Sequence, residues 1–239
     1  MNTIKIDKYF RGMIANNGLS GIETENTIFA FLAAANRSYY GISCELSLSK
    51  DDKYIVTGCD SLLKYGMLNL DIRSFSYNEL KKFSLIDRKT GNLNEFVFIP
   101  RLEDYLAICK AYQKSMFIKI KDCLKPEELE DLQGYMEDFG IEDNYSLISE
   151  NKKQLQTLKK IFPANSLYYY SRIVDDESLD YCKKYGINLY VDHHKLKRDY
   201  IKNLHLVGLK VISGVVNDKE VAEKMIKFDV DFLFTNILE

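Results

Sequence analysis

Met116-Phe117-Ile118-Lys119-Ile120-Lys121, then Pro126-Glu127-Glu128 opening a run that continues to Phe139 and Gly140, then Tyr145-Ser146-Leu147-Ile148-Ser149: these segments spell one strand–helix–strand unit. The outer two are short and rich in β-branched and aromatic residues, the composition of a strand. Pro126 suits the first position of a helix, where its missing amide hydrogen costs nothing, and the two carboxylates after it meet the positive end of the helix dipole. Gly140 suits the far end, because glycine adopts the left-handed cap conformation cheaply.

The same alternation extends in both directions. Strands are expected at residues 13–16, 42–47, 116–121, 145–149, 166–170, 187–191, 209–213 and 232–235, with helices at 25–37, 102–112, 126–139, 152–162, 176–185, 197–206 and 219–228. Gly186 and Gly208 punctuate helix ends as Gly140 does. Eight strands wrapped by helices predict an α/β protein with a closed parallel (β/α)8 barrel rather than an open sheet. A length of 239 residues fits one such domain, taken as residues 1–239. One connection departs from the rhythm. Leu46-Ser47-Leu48-Ser49, a Lys50-Asp51-Asp52-Lys53 turn and Tyr54-Ile55-Val56-Thr57 read as a hairpin after the second strand, followed by a short helix within 76–83 and a polar loop over 88–98. Such an insertion covers the substrate face, since barrel active sites form at the carboxyl ends of the strands.

Composition excludes several function classes. With 33 basic and 35 acidic residues the formal charge is −2, which gives no general attraction to nucleic acid or anionic membrane. The cysteines, Cys44, Cys59, Cys109, Cys123 and Cys182, are odd in number and form no CxxC pair, so neither a disulfide framework nor a zinc ribbon is indicated. A reducing, cytoplasmic setting is expected. Residues 1–13 lack the apolar core of a signal peptide, and the longest uncharged apolar run, residues 28–35, is too short for a transmembrane segment.

Candidate site residues gather at the expected carboxyl ends of strands: Asn16 and Asn17 after the first, Glu45 and Ser47 on the second, Cys59 and Asp60 after the hairpin, Lys119 and Lys121 on the third. Residues two apart on a strand share a face, so each pair points one way. Charges inside a barrel are costly unless they pair or serve a site. His193 and His194, beside Asp192, read as a solvated loop, because neighbours on an extended strand point oppositely and no further ligand stands at metal-site spacing. His205 belongs on a helix flank. In Tyr168-Tyr169-Tyr170 the middle ring faces away from the other two.

Taken in order, Asn16-Asn17-Gly18, Thr24-Glu25-Asn26-Thr27, Glu45-Leu46-Ser47, Cys59-Asp60, Ile99-Pro100-Arg101-Leu102-Glu103, Lys119-Ile120-Lys121 and Gly208-Leu209-Lys210-Val211 through Val216-Asn217 resemble the glycerophosphodiester phosphodiesterase family across nearly the whole chain. The family pattern at these places is His-Arg-Gly, Pro-Glu-Asn-Thr, Glu-Leu-Asp, His-Asp, Ile-Pro-x-Leu-Glu, Glu-Ile-Lys and Gly-Leu-x-Val-x-x-Trp-Thr-Val-Asn. The resemblance implies a barrel enzyme of glycerophosphodiester and lipid metabolism. It also implies a calcium or magnesium ion on three carboxylates, with two histidines as base and acid.

Here those implied roles meet unsuitable side chains. Asn16 and Cys59 stand at the histidine positions, Asn17 at the phosphate-binding arginine, and Ser47 and Lys119 at two of the three carboxylates. Only Glu45 is left for a metal, so weak or absent binding is expected and no cofactor is called for. An amide does not titrate near neutral pH and cannot serve as general base. Two readings of Glu45, Lys119 and Lys121 stand open: a metal-independent anion site, or a buried Glu45–Lys119 ion pair that fills space. The expected function is accordingly a non-hydrolysing protein that binds a small phosphorylated or polyol ligand. The alternatives are a phosphodiesterase with rearranged chemistry and a structural, partner-binding protein.

Overall fold

The computed structural model describes residues 2–6, 10–59, 61, 70–121, 124–163 and 166–239; Asp60 and Cys123 lie outside them. Among the described residues eight parallel strands close on themselves: β1 (Met13–Ala15), β2 (Gly41–Leu48), β6 (Ser115–Ile120), β7 (Tyr145–Ser149), β8 (Leu167–Ser171), β9 (Asn188–Val191), β10 (Val211–Ser213) and β11 (Phe232–Thr235). Closure is made by β1, which pairs with β11 on one side and β2 on the other. The barrel expected from the alternating pattern is therefore present.

Helices α1 (Ile28–Ala35), α3 (Leu102–Ala111), α4 (Pro126–Asp138), α5 (Lys152–Ile161), α6 (Asp176–Tyr185), α7 (Arg198–His205) and α8 (Lys219–Lys227) join these strands. Pro126 opens α4 with Glu127 and Glu128 in its first turn, and Gly140, Gly186 and Gly208 have φ of +64°, +63° and +75°. One helix is shorter than expected. The predicted 25–37 segment becomes helical only at Ile28, capped by Thr27, because Asn26 takes a left-handed φ of +56° and breaks the turn before it.

The insertion after β2 begins as predicted, with β3 (Tyr54–Val56) folding back antiparallel on β2. It continues through α2 (Tyr77–Leu80) and a two-stranded ribbon of β4 (Leu85–Ile86) and β5 (Leu93–Asn94). The ribbon corrects the expectation of a plain polar loop over 88–98. Thr24 fastens it to the barrel mouth, its Oγ1 donating to Ile86 O at 2.8 Å and accepting from Arg88 N at 2.9 Å.

Burial divides the apolar residues into an outer layer between sheet and helices and an inner barrel core. The inner core is largely aromatic: Phe117, Tyr168, Tyr190 and Phe234, with Ile14, Ile148 and Ile212. Strand alternation sends Tyr168 and Tyr170 inward and Tyr169 outward, as the period of two requires. The smaller cluster beneath the insertion holds Cys59 with Ile55, Ile72, Leu80, Leu85, Val97 and Ile99. No helix among the described residues is long and apolar enough to cross a membrane.

Glu239 joins the first and last segments of the chain. Its carboxylate accepts hydrogen bonds from Ser38 N and Ser38 Oγ, both at 2.9 Å, and from Thr3 Oγ1 at 2.5 Å, and it pairs with Lys5 at 2.9 Å. Burial pushes this carboxyl up, but the hydrogen bonds outweigh it and hold the group down at about 2. A depressed carboxyl stabilises the fold above its unfolded value and loses that contribution as pH falls through its folded one. Glu239→Gln is therefore expected to lower unfolding free energy by about 2 kcal/mol near neutral pH, with the difference shrinking between about pH 5 and pH 2. Urea titrations of both proteins across that range check it.

Candidate functional site

The first loop is shaped by two side-chain amides and two left-handed turns. β1 ends at Ala15, after which Asn16 N donates to Thr235 O at 2.8 Å and Asn17 adopts φ of +55°. Asparagine tolerates that region better than most residues. Asn17 N donates to Ser43 Oγ at 2.9 Å, which turns its amide toward the barrel axis above β2. Asn26, also left-handed, donates its backbone N–H to Asn17 O at 2.9 Å.

Across the mouth Glu45 on β2 and Lys119 on β6 are register partners. They are joined through an amide. Lys119 Nζ donates to Asn16 Oδ1 at 2.6 Å and to Asn17 Oδ1 at 3.1 Å, while Asn17 Nδ2 donates to Glu45 Oε2 at 3.0 Å and to Glu25 Oε2 at 3.2 Å. Asn26 completes the clamp, its Nδ2 donating to Glu45 Oε2 at 3.0 Å and its Oδ1 accepting from Glu45 N at 3.1 Å. This arrangement replaces the direct Glu45–Lys119 ion pair that spacing alone allows. The reason is reach: the Asn17 amide fills the gap and offers each charge the polar end it prefers.

Lys119 stands over the aromatic floor, its Nζ 5.1 Å from the centre of the Phe234 ring. Burial pushes its pKa below the usual lysine range, against the opposing pull of Glu45 and Glu25. Gly58 presses on Glu45 from the insertion side; a Cβ there would lie 1.9 Å from Glu45 Oε2, so only glycine admits the carboxylate in this position. Lys121, exposed at the rim, donates to Gly58 O at 2.5 Å.

Two hollows flank the Asn16–Lys119 contact. One, of about 230 Å³, is lined by Glu45, Lys119, Lys121, Tyr170, Arg172 and Tyr190 among others, with the Tyr170 and Tyr190 rings 4.7 Å apart on one wall. Arg172 pairs there with Glu150 at 2.9 Å. The other, of about 400 Å³, lies between the first loop and the ribbon and is lined by Asn16, Ser20, Thr24, Glu25, Ile86, Arg88 and Asn236.

The structure thus brings Asn16, Asn17, Glu45 and Lys119 into one cluster, with Lys121 at its edge. Ser47 is buried on the same strand, and Cys59 belongs to the apolar cluster below the insertion. The divalent ion that the resemblance implies does not fit this donor set. A hard cation takes six or more oxygen ligands. Glu45 Oε2 already accepts two amide N–H groups, whose protons point where a cation would bind, and an ammonium stands across from it. Spacing left unmarked Asn26, Glu25, Ser43, Asn236, Tyr170, Tyr190 and Arg172, although the Thr24-Glu25-Asn26-Thr27 motif had flagged the segment supplying two of them.

Comparison with known proteins agrees with the barrel and its order of elements. The model of the glycerophosphoryl diester phosphodiesterase family matches residues 11–239. A glycerophosphodiester phosphodiesterase of Bacillus altitudinis is 25% identical over 235 residues, covering 94% of each chain. Among solved structures, a phosphodiesterase of Oleispira antarctica in complex with the product sn-glycerol-3-phosphate superposes with a TM-score of 0.86 at 18% identity, covering 97% of this chain and 95% of that one. A glycerophosphodiester phosphodiesterase of Parabacteroides distasonis gives 0.77 at 20% identity, over 99% and 94% of the two chains.

If the Asn17 amide couples the two charges, their contributions to stability are not additive. A double-mutant cycle of Glu45→Gln and Lys119→Met, read by urea denaturation, is expected to return a coupling of about 1–2 kcal/mol. In an Asn17→Gly background, which keeps the left-handed backbone without the amide, that coupling should fall to within experimental error of zero.

Proposed function

Because the chain belongs to the glycerophosphodiester phosphodiesterase family, we propose that it keeps the family's barrel and has exchanged hydrolysis for binding, holding a small phosphorylated or polyol ligand without a metal ion. The observation that carries this reading is the placement of the Lys119 ammonium, which donates to Asn16 and Asn17 and faces Glu45 across the amide. A fixed positive charge over an aromatic floor, in a partly closed cleft, attracts an anion more strongly than it would in water. Lys121 stands on the same wall, and Arg172 pairs with Glu150. The modest cleft suits a ligand the size of a glycerol phosphate, the product named in the Oleispira antarctica complex. Tyr170 and Tyr190 present phenol groups for its hydroxyls.

The same residues argue against turnover. Asn16 and Asn17 are non-titrating amides fully engaged with neighbours, so neither abstracts a proton. Cys59 belongs to the apolar cluster beneath the insertion, and a thiol is a poor substitute for an imidazole that must carry protons both ways.

With glycerophosphocholine and added calcium or magnesium the chain is expected to release no product above background; turnover that disappears in Glu45→Gln overturns the reading. At a hundred-fold excess over its dissociation constant, sn-glycerol 3-phosphate should stabilise the wild-type chain by about 2.7 kcal/mol. That stabilisation should be absent in Lys119→Met, measured against that variant's own melting temperature. Conversely, Ser47→Asp combined with Lys119→Glu should create calcium-dependent thermal stabilisation that the wild-type chain lacks.

A further inference from the structure

His193 and His194 follow β9 on the carboxyl-end face of the barrel, and their geometry differs from the extended segment that the sequence suggests. The strand stops at Val191, and His193–Lys195 form a single 3-10 turn capped by Asp192. The turn brings both rings to one side, with centroids 3.8 Å apart. One carboxylate oxygen of Asp192 and one ring nitrogen of each histidine all lie within 4.8 Å of one another.

We propose that Asp192, His193 and His194 form a binding site for a divalent transition ion of the zinc type, separate from the Glu45 cluster. Asp192 Oδ1 and His193 Nδ1 are 3.6 Å apart. Ligands about 2.1 Å from zinc in a tetrahedral shell are separated by about 3.4 Å. That separation is close to the edge of such a shell, and all three ligand atoms lie within 4.8 Å of one another.

A second observation points the same way. His193 Nδ1 is shielded from solvent and has no hydrogen-bond partner, a costly state for a buried polar atom. A metal ion would satisfy it. Asp192 is oriented by His194 N, which donates to its Oδ1 at 2.8 Å, leaving the other carboxylate oxygen unconstrained by that cap. Asp192 and His194 are open to solvent, which provides an entry path and room for water as a fourth ligand.

Donor softness separates this site from the Glu45 cluster. Two imidazoles and a carboxylate favour zinc, copper or nickel, whereas calcium and magnesium prefer all-oxygen shells. The site follows the strand whose Tyr190 lines the first hollow. A bound dication would place positive charge beside the pocket that Lys119 and Lys121 line.

Calorimetry of the chelator-treated, full-length chain with zinc chloride tests the proposal, with cobalt(II) visible absorption as a second readout of coordination. One saturable zinc equivalent is expected, weakened about ten-fold or more in His193→Ala and in His194→Ala. Glu45→Gln should leave it unchanged, and calcium should not compete. Circular dichroism verifies that each variant is folded, and Asp192→Asn, which keeps the cap but removes the charge, should also weaken binding. Absence of saturable binding, binding indifferent to both histidine variants, or binding lost in Glu45→Gln overturns the proposal.

Discussion

A carboxylate and an ammonium half-buried across a barrel from each other are expensive to keep, and here one amide reconciles them. Asn17 turns its Nδ2 to Glu45 and its Oδ1 to Lys119, so each charge meets the matching end of a dipole. The arrangement needs Asn17 in a left-handed conformation, Ser43 beneath it and Asn26 beside it, and those in turn settle the course of the first loop into α1. Mouth geometry and loop geometry are the same problem. Removing one charge would leave the other half-buried with only amide partners, which costs more than the pair's net contribution.

The chemistry of the mouth follows from what its charges have become. In the family pattern, three carboxylates around a dication leave one net negative charge; without the ion they would repel one another strongly at such short range. Exchanging one carboxylate for Lys119 and another for Ser47 removes that repulsion and leaves one charge of each sign. The substitutions are therefore physically coupled: an ammonium at Lys119 and a dication held by the same group of side chains would repel each other, whereas an ammonium and a single carboxylate attract. The amides at the first-loop positions fit the same logic, since an arginine at Asn17 would set a second cation against Lys119.

Much of the fold was legible in the sequence because its signals are local. The strand at Phe232–Thr235 and the helix at Asp176–Tyr185 coincide with their predicted bounds, as alternation, acidic first turns and terminal glycines are written within a few residues. The misreadings arose where one residue left the regular conformation. Asn26, left-handed, delays α1 to Ile28, and the 3-10 turn at His193–Lys195, just past the expected strand end, brings two histidines expected on opposite sides onto the same side. Neither event has a periodic signature.

The site was legible in its charges and illegible in its connections. Glu45 and Lys119 stand out as charged residues on inward strand positions, and a period of two suffices to find them. That an amide from the loop after the first strand would lie between them depends on the β2–β6 register, on closure of the barrel by β1, and on a positive φ at Asn17. These are long-range or conformational facts. Their effect is to change the question the pocket poses: direct pairing would have quenched both charges, whereas the amide shares each one's field. Lys119 therefore lines the cleft with Lys121 and with Glu45, whose carboxylate is held by Asn17 and Asn26, so the charges at the mouth are spaced by amides instead of cancelling in one direct contact.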